Sequence, residues 1–273
     1  MARNQQLLLK EESYFDKVAD PSAGSYYIEN LTHLVGNHAW KLFVDIEKEG
    51  GFLQALRAGR IQDLLSESAA KRKKDTATRR KILVGTNQYT GIEEQIPRQA
   101  ELNRISGEGP GIEGRAVRPI NLHRGSEEFE RLRLEVSLSG RQPLVFLLTI
   151  GDKVMRKARA RFAAGFFGCA GYRIVENDGF DTLDEAIKAS LSSEADITVI
   201  CSSEGEYPGY AREIYARLND KTIIVIAGDP DKMSGQIMSG TFKFIHHKSD
   251  VPETLRCFNK LLGIELSVEQ TEK

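Results

Sequence analysis

The sequence has little that would suit it to a membrane, to an oxidising compartment or to a nucleic acid. Its longest apolar run, residues 144–150, falls far short of the roughly 18 to 20 residues that cross a bilayer, and no signal-type hydrophobic region follows Met1. The three cysteines, Cys169, Cys201 and Cys257, are far apart, odd in number and flanked by apolar or aromatic residues. That excludes a disulfide framework and suits buried thiols in a reducing compartment, so a cytoplasmic location is expected. An excess of one charge is also missing. Lys+Arg 38 against Asp+Glu 39 leave a net charge of -1, which does not indicate a generic polyanion partner.

What is present is a chain of 273 residues, 40% hydrophobic and 28% charged, a globular composition with room for about two domains. After a polar helix-like opening, Asp20-Pro21-Ser22-Ala23-Gly24-Ser25-Tyr26-Tyr27 marks a loop. From residue 28 to 49, Leu31, Leu34, Val35, Ala39, Leu42, Phe43 and Ile46 recur at three- and four-residue intervals, which predicts a helix ended by Gly50-Gly51. Helices over 52–58 and 61–74 follow, and then a β-rich segment, Lys81-Ile82-Leu83-Val84-Gly85-Thr86-Asn87. That α-then-β order is the pattern at the end of an α/β barrel. Residues 91–141 carry many glycines and charges and read as an interdomain linker, with a helix over 126–137.

Beyond residue 141 the rhythm becomes regular. Strands are expected over 144–150, 172–176, 196–201, 222–227 and 242–246, with helices over 153–170, 182–193, 208–218, 232–238 and 251–262. Five strands separated by helices of this length require parallel pairing through right-handed crossovers, hence a flavodoxin-like (Rossmann-like) α/β domain with strand order 2-1-3-4-5. The expected organisation is a barrel end over 1–90, a linker over 91–141 and the flavodoxin-like domain over 142–273.

Asp20-Pro21-Ser22-Ala23-Gly24-Ser25-Tyr26-Tyr27-Ile28-Glu29, Glu47-Lys48-Glu49-Gly50-Gly51-Phe52, Ala69-Ala70-Lys71 and Val84-Gly85-Thr86-Asn87-Gln88-Tyr89 closely resemble the end of the acyl-CoA-binding (TIM) barrel of methylmalonyl-CoA mutases. In that family the barrel begins far upstream, so the chain looks like the C-terminal portion of a longer subunit or a truncated one. The family continues with a linker and a flavodoxin-like cobalamin domain, whose first loop carries Asp-x-His-x-x-Gly. The histidine coordinates cobalt, the aspartate fixes its other ring nitrogen, and the glycine admits the cofactor's nucleotide tail.

Here the resemblance breaks. Counted back from Gly171-Tyr172, the Asp, His and Gly positions hold Val154, Arg156 and Arg159. The histidines are His33, His38, His123, His246 and His247, none near this loop, and arginine has no lone pair for cobalt. The family's Ser-x-Leu after the third strand is replaced by Cys201-Ser202-Ser203-Glu204-Gly205, and its Gly-Gly after the fourth by Ala227-Gly228. These departures match the small, non-catalytic subunit of the family's heterodimeric bacterial members.

The resemblance thus implies no catalytic, cofactor-binding or metal-binding residue in this chain, and a large-subunit partner that carries adenosylcobalamin and interconverts methylmalonyl-CoA and succinyl-CoA. Two alternatives stay open: a catalytic subunit with an unusual cofactor mode, and a regulatory or chaperone-like binding module.

Other features read as structural. Gly151-Asp152, Ser202-Ser203 and Gly228-Asp229-Pro230 lie at the ligand-binding edge of such a sheet but form no glycine-rich phosphate cradle. Cys201 and the histidines after strand five are separated by strand four, about 10 Å at roughly 4.8 Å per strand, too far for a nucleophile and its base. A phosphoacceptor site is excluded because Asp152 stands alone and Asp196 begins its strand at the opposite edge. His246-His247, as adjacent strand residues, should point to opposite faces and not share a metal ion. Lys71-Arg72-Lys73-Lys74 and Arg79-Arg80-Lys81 read as solvated charge at a helix end. Val154, Ala158, Phe162, Phe166 and Phe167 are expected to form the core face of the helix over 153–170.

Overall fold

The computed structural model describes residues 2–91, 117–120, 123–233 and 242–264. By compactness the chain divides into two units, one of residues 1–64 with 114–119 and one of residues 65–113 with 120–273. This division falls earlier than the expected boundary at residue 90, because residues 76–89 pack into the second unit.

The first unit is helical among its described residues: α1 (Ala2–Glu11), α2 (Tyr26–Lys48), α3 (Phe52–Arg57) and the start of α4 (Arg60–Ala77). The helix predicted from the apolar spacing is α2, and Gly50 and Gly51, both at positive φ, end it as expected. Its apolar stripe is nevertheless exposed at Leu31, Leu34, Val35, Leu42 and Phe43. Ala55 is the one fully buried apolar side chain among the described residues here. Arg118 holds the start of α4, donating to Gly59 O at 2.9 Å and to Asp63 Oδ1 at 2.5 Å.

The segment expected as a barrel strand, Lys81-Ile82-Leu83-Val84-Gly85-Thr86-Asn87, forms a tight turn instead, with a single bridge between Val84 and Gln88. No described strand lies beside it to accept its ladder, and a strand without a neighbour leaves its amides unpaired. Asn87 organises the turn from a fully buried position. Its amide nitrogen donates to Thr76 O and Lys81 O, each at 2.9 Å, and its oxygen accepts from Leu83 N at 2.8 Å. Arg79 closes the arrangement, donating to Asn87 O at 2.9 Å and lying 5.4 Å from the centre of the Phe162 ring.

The sheet follows the expected topology. Strands β1 (Leu144–Thr149), β2 (Arg173–Val175), β3 (Ile197–Cys201), β4 (Ile223–Ala227) and β5 (Lys243–Ile245) pair in parallel in the order β2-β1-β3-β4-β5. The helices are α5 (Glu127–Leu138), α6 (Lys153–Gly168), α7 (Leu183–Ser192), α8 (Tyr207–Leu218) and α9 (Val251–Leu261). The helix expected over 232–238 falls largely outside the described residues, which show a single 3-10 turn at Pro230–Lys232.

Because helices cover both faces, successive residues of the strands are mostly apolar and alternate between two cores. Val145, Leu147, Val199, Cys201, Val225 and Ala227 pack with Phe166, Phe167 and Phe258. Phe146, Leu148, Ile150, Ile200, Ile224 and Ile226 pack with Ile187, Ile214 and Leu218.

Three expectations need correction. Helix α5, assigned to the linker, buries Phe129, Leu132, Leu134 and Val136 and belongs to this domain. On α6, Val154 and Ala158 are exposed, and the buried face begins instead at Arg156 and continues through Ala163, Phe166 and Phe167. Cys257 is exposed, whereas Cys169 and Cys201 are buried free thiols. No described helix is long and apolar enough to cross a membrane.

Candidate functional site

In an open parallel sheet the ligand crevice lies beyond the carboxyl ends of the strands where the order reverses, here between β1 and β3. Two loops meet there: Gly151-Asp152 after β1, and the segment from Ser202 to Glu206 after β3. Asp152 is committed locally. As the N-cap of α6 its carboxylate accepts from Val154 N at 3.1 Å and Met155 N at 2.8 Å.

The crevice is occupied by Glu206. Its Oε2 accepts from Ser202 Oγ at 2.7 Å, Ser203 Oγ at 2.6 Å, and the amides of Ser203 and Asp152 at 3.2 Å each. The serine hydroxyl of Ser203 holds this carboxyl well below the usual range, at about 2; desolvation opposes the shift, and Ser202 and the two amides add to it. Gly151 permits the arrangement: at φ 81° a Cβ there would collide with the Glu206 carboxylate. A side-chain anion therefore lies against the backbone where a bound anion would approach, near the N-terminus of α6.

Arg156, at the position that the resemblance assigns to a cobalt ligand, turns into the domain with its side chain buried. It donates to the carbonyls of Asp178 at 3.2 Å and of Phe180 and Gly151 at 3.4 Å each, while its Nε has no partner. Its guanidinium lies against Gly179, at φ 101°, where any Cβ would strike it. Arg159, at the position assigned to glycine, pairs with Glu204 at 3.0 Å, and Lys232 reaches the same carboxylate at 3.2 Å. The adjoining shallow pocket is lined by Arg156, Lys157 and Arg161 but also by Glu176 and Asp178, so it presents no cationic cradle.

Tyr207 bridges the ends of β3 and β4. Its hydroxyl donates to Ala227 O at 2.7 Å and accepts from Ser202 N at 3.2 Å, and burial pushes its pKa up. Neither Glu206 nor Tyr207 was singled out in the sequence. Ser203-x-x-Glu206 has capping-box spacing, the one local signal that pointed to this carboxylate.

The remaining candidates separate clearly. Cys201 is fully buried, its thiol facing Val199 O at 3.6 Å and pushed up by desolvation, and β4 stands between its strand and the histidines. Asp196 lies at the opposite edge, accepting from Leu144 N at 2.9 Å and pairing with Arg141. In the basic cluster, Lys73 pairs with Glu128 at 3.0 Å.

His246 and His247 depart from expectation. β5 ends at Ile245, so both lie in the turn beyond it, where the alternation of a strand no longer applies. One ligand atom of each lies within 4.8 Å of the other and of an Asp229 carboxylate oxygen. Partial burial pushes His246 below its ordinary pKa, against the opposing pull of Asp229.

The methylmalonyl-CoA mutase family model matches residues 1–115. Over 264 residues the chain is 47% identical to the methylmalonyl-CoA mutase small subunit of Porphyromonas gingivalis, covering 97% of this chain and 42% of that protein. It is 31% identical over 218 residues to the small subunit of Streptomyces virginiae, covering 78% of this chain and 34% of the relative. Likeness to the methylmalonyl-CoA mutase of Rhizobium meliloti is 40% but covers only 95 residues, 35% of this chain and 13% of that one. The chain thus spans between about a third and two-fifths of the length of these small subunits.

Proposed function

The chain belongs to the methylmalonyl-CoA mutase family, and from that premise we propose that it is the carboxyl-terminal part of a small subunit that supports a catalytic large subunit without binding cobalamin itself. In this reading the large subunit holds adenosylcobalamin and interconverts methylmalonyl-CoA and succinyl-CoA, and this chain contributes a packed α/β domain that stabilises the assembly by mass action.

The observation that carries the proposal is the filling of the loops where a cobalamin domain meets its cofactor. Arg156 lies against Gly179, Glu206 lies against Gly151, and Tyr207 links the ends of β3 and β4. Of these, Arg156 stands where the family's cobalt-coordinating histidine is expected, and a guanidinium has no lone pair to give. The present residues do not fit the cofactor. The extent of likeness adds support, since it runs through 97% and 78% of the chain for the two small subunits but through about a third for the Rhizobium meliloti mutase.

Absorbance titration of the purified chain with adenosylcobalamin tests this. No saturable binding is expected, and none is expected for the V154D/R156H/R159G variant, because Glu206 and Tyr207 still occupy their places. Saturable binding by the unaltered chain, with the spectral change of lower-base replacement, would overturn the proposal. Binding by the variant alone would refute the filling argument.

A further inference from the structure

Asp229 lies two residues beyond the end of β4, and His246 and His247 directly follow β5, so the parallel pairing of β4 and β5 brings residues far apart in the chain to one place at the sheet edge. Each offers one ligand atom, and the three atoms lie within 4.8 Å of one another; no other His, Cys, Asp or Glu trio converges in this way among the described residues. Asp229 is buried, His246 half-buried and His247 exposed, a gradient from the domain to solvent. The two rings meet edge to face with centroids 6.2 Å apart.

We propose that Asp229, His246 and His247 form a site for a divalent transition-metal ion of the zinc type. Two imidazoles and one carboxylate suit zinc and the later first-row ions, whereas calcium and magnesium prefer oxygen ligands alone. Metal–ligand bonds of about 2.0–2.2 Å place neighbouring donors roughly 3.5 Å apart in a tetrahedral site, so no pair of the trio needs to close by more than about 1.3 Å. The exposed His247 side chain supplies that movement by rotation. Three protein donors leave further coordination positions open to solvent.

Lys248 holds the trio in its metal-free arrangement. Its ammonium lies 3.4 Å from Asp229 Oδ2, and its amide donates to His246 Nδ1 at 3.3 Å. Both are long, and the Lys248 side chain is 61% exposed, so the pairing is weak and readily displaced by a dipositive ion beside a buried carboxylate. The remaining oxygen, Oδ1, accepts from Asp231 N at 3.2 Å and so orients the carboxylate. The site lies at β4 and β5, away from the crevice at β1 and β3, and does not rest on the proposed small-subunit role.

The experiment is calorimetric titration of the full chain with zinc alone, and with cobalt(II) read by visible absorbance. One equivalent is expected, with ligand-field bands of nitrogen and oxygen donors. Loss of an outer-shell partner commonly costs about 10–100-fold in affinity, so H247A and H246A/H247A should lose at least that much. K248A, which removes the competing ammonium, should bind a few-fold more tightly. Absence of saturable binding, affinity unchanged in H246A/H247A, or a thiolate charge-transfer band from Cys257 would each overturn the proposal. Weaker binding by K248A would remove Asp229 from the ligand set and overturn it as well.

Discussion

Glu206 gathers four hydrogen bonds on one carboxylate oxygen, two from serine hydroxyls and two from backbone amides. Its ionised form is the one these donors favour, so its pKa falls from the ordinary 4.5 to about 2 on folding. A depressed carboxyl contributes stability that is fully present above its unfolded value and is lost as pH falls through its folded value. Glu206→Gln should therefore destabilise the domain near neutral pH by about 1 kcal/mol, a figure reduced for partial solvent screening. The difference from the unaltered chain should shrink between pH 4.5 and about 2, where Glu206 itself becomes neutral. Urea unfolding at several pH values measures this, and a constant difference across the window would refute it. Arg156 shows how far a residue's identity can be read locally. Its inability to bind cobalt follows from chemistry alone, but its inward turn onto the carbonyls of Asp178 and Phe180 depends on a loop more than twenty residues away.

Among the elements, α5 shows how composition can mislead. Flanked by glycine and charge, it reads as linker, yet its 3.6-residue periodicity places Phe129, Leu132 and Val136 against Phe167 and Phe258. Each fully buried side chain of this kind contributes about 1.5–3 kcal/mol, so the four on α5 amount to a large share of the roughly 5–15 kcal/mol that stabilises a typical domain. A fragment that starts at residue 142 should then unfold at much lower urea than one that starts at residue 120, or fail to fold cooperatively. Equal midpoints would show that α5 is dispensable. The segment 81–87 errs the other way: its β-branched and apolar content reads as strand, but pairing requires a neighbour, and Asn87 turns the segment back through three backbone contacts.

Taken whole, the chain distributes its burial unevenly. The second unit has two continuous cores on either face of the sheet, while α2 exposes most of its apolar stripe and the first unit buries little. Amides protected only by exposed helices open at low cost, whereas those in a doubly covered sheet open only with global unfolding. Hydrogen exchange of the isolated chain should therefore run at least about tenfold faster in α2 and α3 than in β3 and β4. Equal protection would mean that the stripe on α2 is covered in solution. The strand count and the parallel order were legible in the linear pattern, because periodicity is a local property and the length of the connections restricts the pairing. Which side chains fill the crevice, and that Asp229 meets His246 and His247, were not. Those meetings depend on the paths of the loops beyond the strand ends and on where their side chains turn, which packing around the sheet edge sets and spacing along the chain does not.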